Sequence, residues 1–187
     1  MRLPTRLSHL VLLAPLALTA CDTNSDGPPR RAIVTAVQID DAPLSDPANG
    51  DSWDGAGGGG PEVYFRLLYA DESPTSPGVL NPRDDAFVVN TFTPGQPWVD
   101  DVNGANFPLV WTVDGGFEVR GLDDEYRVVL YDYDPIGGDD VMILTRTFTF
   151  AEAAPDIADG REDTIVLDGV GADESLVRVR LRVVYES

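Results

Sequence analysis

From residue 32 onward, β-branched and aromatic runs of about 6–10 residues alternate with clusters of Gly, Pro and Asp, and no long segment shows the 3.6-residue period of a helix. The pattern predicts strands at Ala32–Ile39, Val63–Tyr69, Ala86–Phe92, Leu109–Val113, Tyr126–Tyr131, Met142–Phe150, Thr164–Leu167 and Leu176–Tyr185. The last run alternates most cleanly. Leu176, Arg178, Arg180 and Arg182 fall on one face, and Val177, Val179, Leu181, Val183 and Tyr185 on the other, so a side-chain period of two sends the second set into a core. The arginines then face solvent and pair with neighbouring carboxylates. The acidic stretch from Ala151 to Asp163, broken by Pro155, reads as a loop or one short helical turn. Eight strands and no internal repeat make an all-β sandwich or barrel.

Ahead of this body the pattern changes. Arg2 and Arg6 precede an apolar run from Leu10 to Leu18, which has the length of a signal-peptide core and is too short to span a bilayer at about 20 residues. The run ends Leu18-Thr19-Ala20-Cys21, which resembles a bacterial lipobox. That resemblance implies cleavage before Cys21 and acylation of its thiolate, and Leu18 departs from the small-x-small pattern of ordinary secretory cleavage. The expected organisation is a lipoprotein signal peptide over 1–20, a lipid-anchored tether over 21–31 and one domain over 32–187. The tether is polar and Pro/Gly-marked, and reaches at most about 35 Å. Its Asp22, Asn24, Asp26, Gly27 series mimics the opening of an EF-hand loop, but Ile33 stands where the twelfth-position Glu belongs, and the segment reads as tether. A lipid anchor at Cys21 would place the domain outside the cytoplasm, periplasmic or at the cell surface. Asp22, directly after the Cys, leaves inner against outer membrane open.

Composition narrows the chemistry. The 187 residues carry 32 acidic and 13 basic side chains for a net charge of −19, and every basic residue is Arg. A nucleic-acid partner is excluded, since counterion release needs clustered cations. The single His9 and single Cys21 both precede the body, which therefore lacks a His-assisted nucleophile, a His/Cys zinc site, a Schiff-base lysine and a disulfide. Carboxylate pairs of the glycosidase kind are inevitable among 32 acids and carry no specificity, so the protein reads as a non-enzyme. Trp98 and Trp111 read as core or strand-edge residues rather than sugar platforms.

The most informative stretch runs from Val128 to Met142, where an apolar strand leads into a turn carrying Asp132, Asp134, Asp139 and Asp140 around Pro135-Ile136-Gly137-Gly138. Asp132 and Asp134 share a face if the strand continues, and the turn can fold Asp140 back toward them. Converging carboxylates either hold protons or bind a hard cation such as calcium, which takes six to eight oxygens. An EF-hand fails here, because Ile136 and Ile143 occupy ligand positions. The Asp-x-Asp-x5-Asp spacing at the end of an apolar strand resembles the third calcium loop of C2 domains, the calcium- and phospholipid-binding sandwiches of protein kinase C and the synaptotagmins. Phe107-Pro108-Leu109-Val110-Trp111 resembles the Pro-x-x-Trp segment of the same family.

That resemblance implies an eight-stranded antiparallel β-sandwich, C2-like and of the permuted type II topology, with calcium as cofactor. It implies Asp132, Asp134 and Asp140 as metal ligands, joined by two acids from the connection between Asp40 and Glu62. Asp46 and Asp54 are the preferred pair, with Asp51 and Glu62 as alternatives. Ile136 and Trp53 become the candidates for a membrane-touching loop tip. The expected function is a membrane-anchored extracytoplasmic binding module that coordinates calcium in Asp-rich loops and presents them to a protein or lipid ligand. The alternative is a calcium-independent structural sandwich, a lipoprotein subunit of an envelope complex.

Overall fold

In the computed structural model, which describes residues 27–54, 59–136 and 138–187, the alternating runs become two stacked antiparallel sheets. The strands are β1 (Arg31–Asp41), β2 (Val63–Tyr69), β3 (Val88–Asn90), β4 (Leu109–Val119), β5 (Tyr126–Asp132), β6 (Asp140–Leu144), β7 (Glu162–Asp168) and β8 (Arg178–Glu186). One sheet has the order β3-β4-β1-β8-β7 and the other β2-β5-β6. The only helical segments among the described residues are two single turns, Ala151–Ala153 and Gly171–Asp173. The fold is an all-β sandwich with eight strands, as the pattern of apolar runs leads one to expect. Cys21 and the signal-like segment lie outside the described residues.

β8 shows why the chain folds this way. Val177, Val179, Leu181, Val183 and Tyr185 are buried between the sheets. On the opposite face Arg178, Arg180 and Arg182 pair with Asp168, Asp40 and Glu162 of the flanking strands. These half-exposed pairs contribute little stability. Trp111 is fully buried, packs edge-on against Phe65 with centroids 5.4 Å apart and donates its indole N–H to the Pro97 carbonyl at 2.9 Å. This places it in the core between the two sheets.

Three irregularities reshape the simple strands. Between Val34 and Ala36 the register of β1 slips against both neighbours: against β8 Thr35 is an extra residue, against β4 it faces the whole stretch Val113 to Gly116, and the buried face is carried on by Val37 and Ile39. β4 does not stop at Val113. Gly115 and Gly116 both take φ of 74°, lie within the residues that β4 inserts opposite Thr35, and let pairing resume with Phe117 opposite Val34. A Cβ on Gly116 would stand 2.3 Å from the Ile33 Cγ2. Gly116→Ala is expected to cost about 1–3 kcal/mol through strain and overlap, read as a lower midpoint in urea; an unchanged midpoint would show that β4 has room to relax. The third irregularity ends β6 at Leu144 rather than Phe150. Thr145 turns to bridge Gly169 while Phe148 returns to bridge Tyr126, and a run of apolar residues cannot register such a change of partner.

The strand directions give the sandwich two poles. Arg31 pairs with Glu186 where the described chain begins, and the Arg30 N–H bonds the Glu186 carbonyl at 2.8 Å. The 11 residues of β1 carry the chain about 35 Å to the other pole. There β2 begins and β5 ends, with Val63 opposite Asp132. The acidic connections 42–62 and 133–139 gather at this second pole.

Candidate metal centre

Asp132 is the last residue of β5 and is 0% exposed. It lies opposite Asp140 of β6 in the ladder, and an extra residue at Met142 slips the register just beside it, with Tyr131 facing Val141 and Leu130 facing Ile143. Directly opposed residues of an antiparallel pair share a face, and two carboxylates there repel. The Oδ1 atom of Asp132 accepts the Glu62 backbone N–H at 2.7 Å. Its Oδ2 atom is buried with no hydrogen-bond partner. A buried carboxylate oxygen left unsatisfied costs on the order of a few kcal/mol, which a cation, a proton or an ordered water beside it would relieve.

The acids that surround this oxygen come from two connections. Asp54, Glu62 and Asp132 bring carboxylate oxygens within 4.8 Å of one another. Glu62 is fixed at the start of β2 because Val63 exchanges hydrogen bonds with Val99, Val102 N–H bonds the Pro61 carbonyl at 3.0 Å, and Asp101 accepts the Gly60 N–H at 2.6 Å. Burial pushes the Glu62 carboxyl up to about 7, and repulsion from Asp54, Asp132 and Asp100 adds to it. Burial likewise pushes Asp132 up to about 6; the Glu62 amide opposes the rise, and Asp54, Asp134 and Asp140 reinforce it. Asp134 is also raised, first by burial and then by Asp140, Asp54 and Asp139.

This donor set fits calcium. Every donor is a hard carboxylate oxygen, and a divalent ion would satisfy the orphan oxygen while offsetting the repulsion that adds to burial in raising both carboxyls. Glutamate and aspartate oxygens with no nitrogen or sulfur suit calcium or magnesium rather than zinc or copper.

The five acids assigned from sequence do not all take the same place. Asp54 and Asp132 stand in the trio. Asp134 and Asp140 are near enough to raise Asp132 but lie outside the trio itself. Asp46 also stands apart from it. Its Oδ1 accepts the Ala48 N–H at 2.8 Å, and with Asp51, Trp53 and Asp140 it lines a neighbouring open depression. Glu62, named from sequence only as an alternative, completes the trio because the register of β2 with β5 puts it beside Asp132. Of the two tip residues, Ile136 is 90% exposed, whereas Trp53 is half-buried against the core and donates its indole N–H to the Pro43 carbonyl at 3.0 Å.

The sequence reads Trp98 as a core or strand-edge residue and Asp139 as part of the acidic turn, and it singles out none of their partners Tyr64, Arg66, Arg83 and Tyr133. Trp98 stacks on Tyr133 with centroids 3.8 Å apart, and its indole N–H bonds Asp100 at 2.6 Å. Arg66, Arg83 and Tyr64 converge on Asp139. Only the isolated arginines within an acidic chain hint at them, since their meeting depends on the packing of three separate connections.

No protein-family model matches the sequence, and no curated protein matches it. Among solved structures the chain is similar to a C2 domain of plant extended synaptotagmin 1, at 10% identity and a TM-score of 0.48, over 85% of this chain and 95% of that one.

Proposed function

We propose that the protein is a non-catalytic binding module that takes calcium between the connections 42–62 and 133–139, and that its body is held outside the cytoplasm by a lipid on Cys21. The observation that carries the metal reading is the buried, unpartnered Oδ2 of Asp132 within a trio of carboxylates. Calcium binding supplies the missing positive charge, and the Asp-x-Asp-x5-Asp spacing supports the choice of ion. Arg31 follows Cys21 by ten residues, so the tether spans at most about 35 Å. The acidic loops stand at the pole away from it. Anchored in this way, the module turns its metal centre and the exposed Ile136 outward, toward a lipid or protein ligand that approaches from the far side.

Calorimetric titration of the full chain with calcium, beside a variant carrying Asp132→Asn and Asp134→Asn, tests the reading. Saturable heat in the parent and none in the variant is the expected result. Absence of heat in both at millimolar calcium would sink it and leave a metal-free structural sandwich.

A further inference from the structure

The connection between β5 and β6 carries Asp134, so its shape decides how this acid approaches Asp132, which Asp140 already faces across the ladder. It has little packing of its own. Pro135, Ile136 and Gly138 are exposed, and Gly138 takes φ of 107°. The described contacts that hold it are at its two ends. At the first, the Tyr133 N–H bonds the Glu62 carbonyl at 2.9 Å, and the Tyr133 ring lies against Trp98. At the second, the Oδ2 of Asp139 accepts from the Tyr64 hydroxyl at 2.6 Å, from Arg66 at 3.3 Å and from Arg83.

One side chain touches both ends. The guanidinium of Arg83 lies 4.9 Å from the Tyr133 ring centroid and also donates to Asp139. Arg83 is itself presented by a built turn. The buried Asn81 accepts the Arg83 N–H at 3.1 Å through its side chain, donates its side-chain amide to Asp84 at 2.7 Å and donates its backbone N–H to Asp85 at 2.8 Å. Beneath it, Arg66 is held over the Tyr131 ring at 4.4 Å and bonded to the Ser76 carbonyl at 2.9 Å, so the Asp139 carboxylate meets a fixed floor. A guanidinium can stack and donate at once because it is planar and forked; an ammonium can do only the second well.

We propose that Arg83 is the positioning residue of the metal centre: by holding Tyr133 and Asp139 together it sets the loop that brings Asp134 toward Asp132, without itself touching the ion. The inference rests on the calcium reading above. It makes a prediction opposite in sign to simple charge. Removing a cation near a calcium site strengthens binding through space, and Asp139, still held by Tyr64 and Arg66 but less neutralised, acts in the same direction. Loss of the hold on the loop weakens binding.

The test uses the full chain as parent, Arg83→Gln and Arg83→Lys, with calcium affinity by calorimetry and amide exchange of residues 133–139 in chelator. Arg83→Gln is expected to weaken calcium binding about tenfold and to speed exchange across the loop; Arg83→Lys, which keeps the ion pair but not the flat stack, recovers part of both. The Arg83 side chain is 35% exposed, so the melting temperature in chelator should move little and report that the sandwich is intact. Equal or tighter affinity in Arg83→Gln, with unchanged exchange, overturns the inference while leaving the metal centre standing. A parent that takes no calcium gives no heat in any of the three proteins, and that pattern marks the failure of the calcium reading itself.

Discussion

Asp132→Asn is expected to raise the melting temperature in chelator and to abolish the rise that calcium gives the parent. The two effects have one origin. At neutral pH the parent holds a carboxylate whose Oδ2 is buried without a partner, with its carboxyl lifted to about 6 by burial and by the surrounding acids. Moving from the usual value near 3.8 to about 6 corresponds to roughly 2–3 kcal/mol of native-state penalty when the group is ionised. Asparagine keeps an oxygen for the Glu62 N–H and turns an amide toward Asp54 and Glu62, so much of that penalty disappears. With calcium the order reverses. An ion at a hundred times its dissociation constant stabilises the parent by about 2.7 kcal/mol, several degrees for a domain of this size, and the variant has lost the central ligand. Thermal melts of both proteins in chelator and in calcium give four midpoints. A variant that melts below the parent in chelator would mean that Asp132 is satisfied without a metal, and the structural reading of the carboxylate trio would have to be abandoned.

The strands are legible in the sequence because they are long, β-branched and bounded by turn residues. β2 runs from Val63 to Tyr69 in pattern and in structure alike, and the inward set of β8 is buried as its alternation requires. The pattern cuts β4 short at Val113 because Asp-Gly-Gly reads as a turn, whereas the two glycines at positive φ form an irregular step within a continuing strand. It draws β6 too long because Thr145 to Phe148 keeps a strand-like composition while changing partners. At the acidic pole, local spacing brings out Asp132, Asp134 and Asp140, which lie within one short stretch of chain. The choice among Asp46, Asp51, Asp54 and Glu62 cannot be made locally. It depends on the pairing of Val63 with Asp132, a contact across 69 residues of chain, which carries Glu62 to Asp132, where Asp54 joins them while Asp46 stays in its own turn. The hold of Arg83 on Tyr133 and Asp139 is illegible for the same reason.

The metal-free protein should lose stability as pH rises from about 4 to about 7, against the usual trend for a carboxylate-rich domain. Glu62 and Asp132 have native carboxyls near 7 and 6, above their ordinary values of 4.5 and 3.8. Between those limits the folded protein keeps protons that the unfolded chain has released, so the native state binds more protons and each unit of pH lowers the unfolding free energy by up to about 1.4 kcal/mol per group. Below pH 4 both states are protonated at these groups and the penalty is absent; above pH 7 it is complete. Calcium competes with the same protons. Its stabilising effect should therefore be small at pH 5, grow through pH 6 and level off above pH 7, so that the chelator and calcium curves diverge over this window. General repulsion in a chain of net charge −19 also disfavours the folded state as acids ionise, and a second protein separates the two causes. Glu62→Gln with Asp132→Asn removes two of the 32 acids, the two most strongly raised, and its chelator curve should be flatter than the parent's by several kcal/mol across the window. Urea unfolding of both proteins at pH 4.5, 5.5, 6.5 and 7.5 makes the comparison. Parallel curves would place the pH dependence in the diffuse charge of the surface rather than in the carboxylates at the end of β5.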